Sequence, residues 1–223
     1  MQCSFDLIIF DCDGVLVDSE RIANAVFARV LEQECGLQFS LEQMFDRFVG
    51  RSQVQCMQIV EELTGEIPPP GLWRRYKQEI NQELENKVEA VNGIESVLKD
   101  IDLPYCVASS GSHEKMKTTL GKTGLAKYFN ANIFSSSEVA NGKPHPDIYL
   151  YAAESMGVAD PARCLVIEDS PVGVQGAIAA GMTVFGYAEL MKADKLHAAG
   201  AHLTFDRMGN LFSEIHGYFK DRT

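Results

Sequence analysis

The 223-residue sequence has no excess of basic residues, no long apolar run and no closely spaced cysteine pair. Its formal net charge of −11 argues against nucleic acid and against an anionic membrane surface as partners. No apolar run reaches the roughly 18 residues that a membrane-spanning helix needs, so no such helix is expected. Residues 1–4 lead directly into a predicted strand, and we therefore expect no signal peptide.

The six cysteines form no CxxC pair, and several of them lie inside apolar runs. This pattern is typical of buried free thiols in a reducing compartment and disfavours a disulfide framework or a zinc site. We therefore expect a soluble cytoplasmic protein. Cys12 lies between two aspartates, but no histidine is near it in the sequence, which disfavours a cysteine nucleophile.

Short apolar runs alternate with amphipathic helical patterns through most of the chain. The predicted strands comprise residues 5–10, 105–108, 164–167 and 183–187, with weaker ones at 133–134 and 203–205. Such alternation predicts an α/β fold with a doubly wound, Rossmann-like parallel sheet.

A purely helical segment, residues 19–87, follows the first strand. Gly36 predicts the end of its first helix, and Ser40 with Gln43 has the pattern of a capping box for the second. The pattern predicts an α/β core formed by residues 1–18 and 88–223, with residues 19–87 inserted as a separate helical domain.

Several predicted strands end in residues that carry chemistry. Because the carboxyl ends of parallel strands meet at one edge of the sheet, we expect these residues to lie together. They are Asp11 and Asp13, Ser109 with Ser110 and Gly111, and Glu168 with Asp169, joined by Lys143 in a Gly-Lys-Pro turn. Carboxylate oxygens at this edge would suit Mg²⁺. Taken singly, each feature also has an ordinary interpretation, as a turn, a cap or a solvated lysine.

In order and context, these residues resemble the four motifs of the haloacid dehalogenase-like hydrolase superfamily. The motifs are Asp11-Cys12-Asp13-Gly14-Val15, Ser109, Lys143 and Glu168-Asp169. The helical insertion is similar to the helical cap of that superfamily's phosphatase and β-phosphoglucomutase-like branch. The resemblance covers essentially the whole chain.

The resemblance implies a role for each acidic residue. Asp11 would be the nucleophile that forms an aspartyl-phosphate, and it would also bind the metal. Asp13 would be general acid and then general base, and its backbone carbonyl would bind the metal. Asp169 would be a metal ligand. Glu168 would be a metal ligand through water or a support for the other ligands.

The resemblance also implies the contacts of the phosphoryl group. Ser109 would donate a hydrogen bond to it, assisted by the backbone N–H groups of Ser110 and Gly111. Lys143 would favour the charged form of Asp11. Arg51, between two predicted helices of the insertion, is our candidate for contacting the rest of the substrate.

The implied function is an Mg²⁺-dependent phosphatase that acts on a small phosphorylated metabolite, such as a sugar or sugar-acid phosphate. One alternative is a phosphosugar mutase resembling β-phosphoglucomutase, from which Ala23 and Gln53 depart in our alignment. A third, of another class, is a phosphoaspartate receiver module of signalling. A monomer is compatible with the sequence, and the oligomeric state stays open.

Overall fold

The computed structural model describes residues 5–49, 51 and 53–220. Its strands form one parallel sheet in the order β3-β2-β1-β4-β5-β6. They are β1 (Leu7–Phe10), β2 (Tyr105–Ser109), β3 (Ile133–Ser135), β4 (Cys164–Glu168), β5 (Thr183–Tyr187) and β6 (Leu203–Phe205). The predicted α/β class and parallel sheet are confirmed.

The first strand lies in the middle of the sheet, between β2 and β4. Every residue of β1 and β4 is buried, as expected for strands covered by helices on both faces. The neighbours of β1 come much later in the sequence, so the topology places residues from distant parts of the chain beside Asp11.

Two compact units are present. Residues up to Val17 and from Glu89 onward form one, and Asp18–Val88 form the other. The sequence-based division differs from this one by a single residue at each boundary.

The second unit consists of four helices: α1 (Ser19–Cys35), α2 (Leu41–Phe48), α3 (Gln53–Thr64) and α4 (Leu72–Lys87). Within it α1 packs against α2 and α4, and the Phe27 ring meets those of Phe48, Trp73 and Tyr76. As predicted, α1 ends at Gly36 and Ser40 forms a capping box with Gln43. The predicted break at 50–52 is described only at Arg51, since Gly50 and Ser52 lie outside the described residues.

The first unit contributes the helices that cover the sheet. They are α5 (Ile94–Asp100), α6 (His113–Lys122), α7 (Ala126–Phe129), α8 (Asp147–Ser155), α9 (Pro171–Ala179), α10 (Ala193–Ala199) and α11 (Leu211–Lys220). Of these, α7 has only four residues, which are too few to show a helical period in the sequence. Across the described residues, no helix combines the length and apolar character needed to cross a bilayer.

Candidate active site

Asp11 comes directly after β1 and continues its ladder, because its N–H donates to Ile167 O at 3.0 Å. Asp11 is buried, with 7% of its surface exposed. The chain then turns tightly, and the N–H groups of Leu16 and Val17 both donate to Cys12 O. This turn keeps Asp13 at the same edge of the sheet as Asp11.

Lys143 is enclosed by acceptors at the centre of the site. Its Nζ lies 2.6 Å from Asp11 Oδ1 and 2.6 Å from Glu168 Oε1, and it donates to Ala108 O at 3.1 Å. The side chain is only 3% exposed, and Nζ lies 5.0 Å from the centre of the Tyr149 ring. Since an ammonium has three N–H donors, these three acceptors account for all of them. The solvated-lysine interpretation is therefore wrong.

Glu168 is fully buried and its two oxygens accept hydrogen bonds from several donors. Tyr149 OH donates to Oε1 at 2.8 Å, beside Lys143. The N–H and Oγ–H of Ser170 donate to Oε2 at 3.0 and 2.9 Å. These contacts fill the four lone-pair positions of a carboxylate. Glu168 Oε1 therefore shares the ammonium of Lys143 with Asp11 Oδ1.

Gly173 is what makes room for that carboxylate. A Cβ at this position would lie 1.8 Å from Glu168 Oε1. Gly173 N–H donates to Ser170 Oγ at 3.1 Å, so Ser170 caps the N-terminus of α9 and also donates to Glu168.

Three carboxylates form the candidate metal centre. Asp11, Glu168 and Asp169 each offer an oxygen, and these oxygens lie within 4.8 Å of one another. A hard cation fits this donor set, because three carboxylates lie close together and Lys143 contacts two of them, Asp11 and Glu168. With both Glu168 oxygens engaged, the side chains of Asp11 and Asp169 are the better placed ligands.

The predicted phosphoryl loop lies at the end of β2. Ser109 is buried, and its Oγ accepts the N–H of Gly111 at 3.0 Å. That N–H, which we expected to donate to the phosphoryl group, is thus engaged within the loop. Ser110 is exposed, and Ser135 Oγ donates to Gly111 O at 2.7 Å. The α6 helix begins only at His113, with Ser112 as its cap.

Lys115 is the residue that sequence reasoning missed. Its Nζ lies 2.7 Å from Asp13 Oδ2. Lys115 lies in the first turn of α6, the helix that follows β2. Because that turn lies at the carboxyl edge of the sheet, the position of Lys115 in the sequence could have indicated it as a site residue. Arg51, in contrast, belongs to the helical unit, where it is exposed and near Cys56.

Burial and charge shift the pKa values of the central groups. Burial raises the pKa of Asp11 to about 7, although Lys143 opposes the rise. Burial also works against the charge of Lys143, but Asp11 and Glu168 outweigh it and hold its pKa well above the usual value. Burial, with Asp13 and Asp11, raises the pKa of Cys12 well above its normal range. Cys12 therefore stays a thiol, which agrees with the rejection of a cysteine nucleophile.

Comparison with known proteins points to one family. The family model described as haloacid dehalogenase-like hydrolase matches residues 8–187. A 6-phosphogluconate phosphatase of Escherichia coli K12 is 33% identical over 181 residues, which cover 81% of each chain. A probable pseudouridine-5'-phosphatase of Drosophila melanogaster is 34% identical over 79% of this chain and 78% of its own. A haloacid dehalogenase-like protein of unknown function from Agrobacterium tumefaciens C58 superimposes with a TM-score of 0.91, at 38% identity, over 97% of this chain and all of its own.

Proposed function

The chain belongs to the haloacid dehalogenase-like hydrolases and is a phosphoric monoester hydrolase, and from that premise we propose that it dephosphorylates a small metabolite through an aspartyl-phosphate on Asp11. One observation carries the proposal. The Asp11 carboxylate is held by Lys143 at 2.6 Å, at the sheet edge where ligands of parallel folds bind, with Asp13 two residues further on. Because the chain belongs to a family of hydrolases, we set aside the alternative of a phosphoaspartate receiver module.

In the first step an oxygen of Asp11 attacks phosphorus. The bond between phosphorus and the ester oxygen breaks, and Asp13 gives a proton to the departing alcohol. Lys143 fixes the position of Asp11 and stabilises its charge. Attack requires the carboxylate form, which the ammonium of Lys143 favours.

In the second step water attacks the aspartyl-phosphate. Asp13, now a carboxylate, takes the proton from that water, and inorganic phosphate leaves as Asp11 is restored. Ser109, Ser110 and Gly111 would contact the phosphoryl oxygens, with Ser109 supplying its hydroxyl. Gly111 N–H becomes a donor for the phosphoryl group only if it leaves Ser109 Oγ.

Mg²⁺ is the proposed cofactor. It would be bound by the carboxylates of Asp11 and Asp169 and by the backbone carbonyl of Asp13. Glu168 would support this site through its contact with Lys143. When bound, Mg²⁺ neutralises the charge of the phosphoryl oxygens. The donor set supports a hard cation of this kind, since it offers carboxylate oxygens at short separations.

The proposed substrate is a sugar or sugar-acid phosphate. This follows from the relatives, of which one acts on 6-phosphogluconate. The helical unit, residues 18–88, would serve as a cap that selects the substrate, with Arg51 contacting its polar or anionic part. We propose the cytoplasm as the location of the reaction, in keeping with the free thiols of the cysteines at 12, 35, 56, 106 and 164.

A turnover assay tests the proposal. The purified protein with Mg²⁺ should release many phosphates per chain from 4-nitrophenyl phosphate and from 6-phosphogluconate, and chelation of the metal should stop the reaction. Asp11→Asn should abolish turnover. Asp6→Asn is the matched control, because Asp6 precedes β1 at its other end and its carboxylate forms an exposed ion pair with Arg163. Full activity of Asp11→Asn would overturn the assignment.

The same preparation tests the mutase alternative. Incubation with β-glucose 1-phosphate and a trace of the bisphosphate should yield inorganic phosphate and no glucose 6-phosphate. Accumulation of glucose 6-phosphate would reverse the order of the two functions.

A further inference from the structure

Lys115 connects the helix after β2 with the turn after β1. Its Nζ lies 2.7 Å from Asp13 Oδ2. The start of α6 is fixed by Ser112, whose Oγ accepts the backbone N–H of Lys115 at 3.2 Å. The Asp13 side chain is therefore bound to a second element at the edge of the sheet.

Gly111 lies beside this contact. A Cβ at Gly111 would lie 3.5 Å from Lys115 Cδ, 3.7 Å from Asp13 Oδ2 and 3.3 Å from Ser109 Oγ. The stem of Lys115 thus passes beside the loop to which we assign the phosphoryl group. This proximity places the contact between Lys115 and Asp13 next to the reacting bond.

The two lysines of the site serve different acids. Lys143 is 3% exposed and its three donors are taken up by Asp11, Glu168 and the backbone carbonyl of Ala108. Lys115 is 35% exposed and contacts Asp13, which is 21% exposed. Lys143 is therefore enclosed around the nucleophile, whereas Lys115 lies at the acid that serves the leaving group.

We propose that Lys115 is a positioning residue for Asp13 in the departure of the leaving group. The proposal rests on the proposed function, in which Asp13 gives its proton to the ester oxygen as the bond to phosphorus breaks. As that proton moves, negative charge develops on Asp13, and an ammonium 2.7 Å away stabilises it. The same contact fixes the position of Oδ2.

Two substrates with different leaving groups separate this role from a general one. 4-Nitrophenolate is a stable anion and leaves without a proton, whereas the alkoxide of a primary alcohol needs one. Removing Lys115 should therefore slow hydrolysis of an alkyl phosphate more than that of 4-nitrophenyl phosphate. The excess loss should be on the order of tenfold, because general acid catalysis as a whole contributes roughly a hundredfold or more.

The experiment compares Lys115→Met with Lys117→Met in the holoenzyme. Methionine keeps the length of the stem without its charge, and Lys117 is an exposed lysine of the same helix. We expect kcat of Lys115→Met to fall for 6-phosphogluconate, an alkyl phosphate whose leaving group is a primary alcohol, with a much smaller change for 4-nitrophenyl phosphate. Lys117→Met should match the wild type on both substrates, and Lys115→Arg should restore part of the lost rate.

The outcomes test the role of Lys115 separately from the proposed phosphatase function. Equal losses on the two substrates, or no loss on either, would overturn the role of Lys115 while the phosphatase stands. A wild-type protein that hydrolyses neither substrate would overturn the proposed function, and this inference with it. A larger loss confined to the alkyl phosphate, with thermal unfolding unchanged, supports the inference.

Discussion

The carboxylate of Asp169 occupies the space that a side chain on Gly14 would need. A Cβ at Gly14 would lie 1.9 Å from Asp169 Oδ2, and Gly14 has φ +77°. The glycine of the first motif therefore has two purposes: it permits the left-handed turn after Asp13, and it lets a candidate metal ligand from the neighbouring strand approach the backbone.

Gly14→Ala should abolish the site. The methyl group would force Asp169 out of its place, and we expect at least about a hundredfold loss of kcat/KM together with weaker Mg²⁺ binding in calorimetry. Gly157→Ala is the matched control: its φ is +79°, but its Cβ would meet nothing within 4 Å. The control carries the same backbone cost, about 1–2 kcal/mol, without the clash. Equal activity losses in the two variants would contradict this explanation.

Stability without metal should fall as pH rises from about 4 to 7, through the contribution of Asp11. Its pKa is about 7 in the folded protein against 3.8 ordinarily, so in this window the folded state binds more protons there than the unfolded state does. Denaturant unfolding of the wild type and Asp11→Asn, each in a chelator, measures this as a difference in slope.

The comparison with Asp11→Asn is necessary because other carboxylates act in the opposite direction. Arg163 lowers the pKa of Asp6, so the contribution of Asp6 to stability is lost as pH falls. Asp6→Asn should therefore not reproduce the slope change of Asp11→Asn. Parallel curves for the wild type and Asp11→Asn between pH 4 and 7 would contradict the assigned shift.

Tyr149→Phe should lower the free energy of unfolding by about 1–2 kcal/mol, because it removes a buried donor to a carboxylate. Tyr149 OH lies 2.8 Å from Glu168 Oε1, and Tyr149 is fully buried. Tyr151→Phe is the control on the same helix, since Tyr151 OH makes a longer, exposed contact of 3.4 Å with Glu138. Chemical unfolding should show little change for that control. Indistinguishable variants would mean that the Glu168 contact contributes nothing measurable.

Arg51→Ala should raise KM for 6-phosphogluconate by about tenfold and leave KM for 4-nitrophenyl phosphate unchanged. The reason is that a guanidinium binds carboxylates and hydroxyls of the leaving group, which the aryl phosphate lacks. Arg74→Ala, another exposed arginine of the helical unit, is the control and should change neither value. Steady-state kinetics gives KM for each substrate. A rise in KM for both 6-phosphogluconate and 4-nitrophenyl phosphate would argue against substrate selection by Arg51.

The sequence predicted the edge of the sheet well because two strong signals agree there. Strands such as Leu7–Phe10 are apolar throughout, and the parallel topology brings their carboxyl ends together. Asp11, Lys143 and Glu168 were therefore expected as neighbours, although 132 residues separate the first two.

Other contacts depend on side-chain directions that no spacing rule provides. The reach of Lys115 to Asp13 depends on where α6 begins and on the direction of the Lys115 side chain. The sequence also left Glu168 open between ligand and support, because the donors that engage it, Tyr149 and Ser170, are ordinary residues of helix α8 and of a cap.

The central position of β1 also constrains the order in which the protein can assemble during synthesis. The strand emerges from the ribosome early, but its partner β2 follows only after the helices of Asp18–Val88, and β4 later still. Its backbone N–H and C=O groups remain unpaired and its apolar side chains uncovered while the local contacts of those helices form, since such contacts form fastest. Activity should therefore appear only after Glu168 and Asp169 have been synthesised. A chain stopped before β4 should be prone to aggregation.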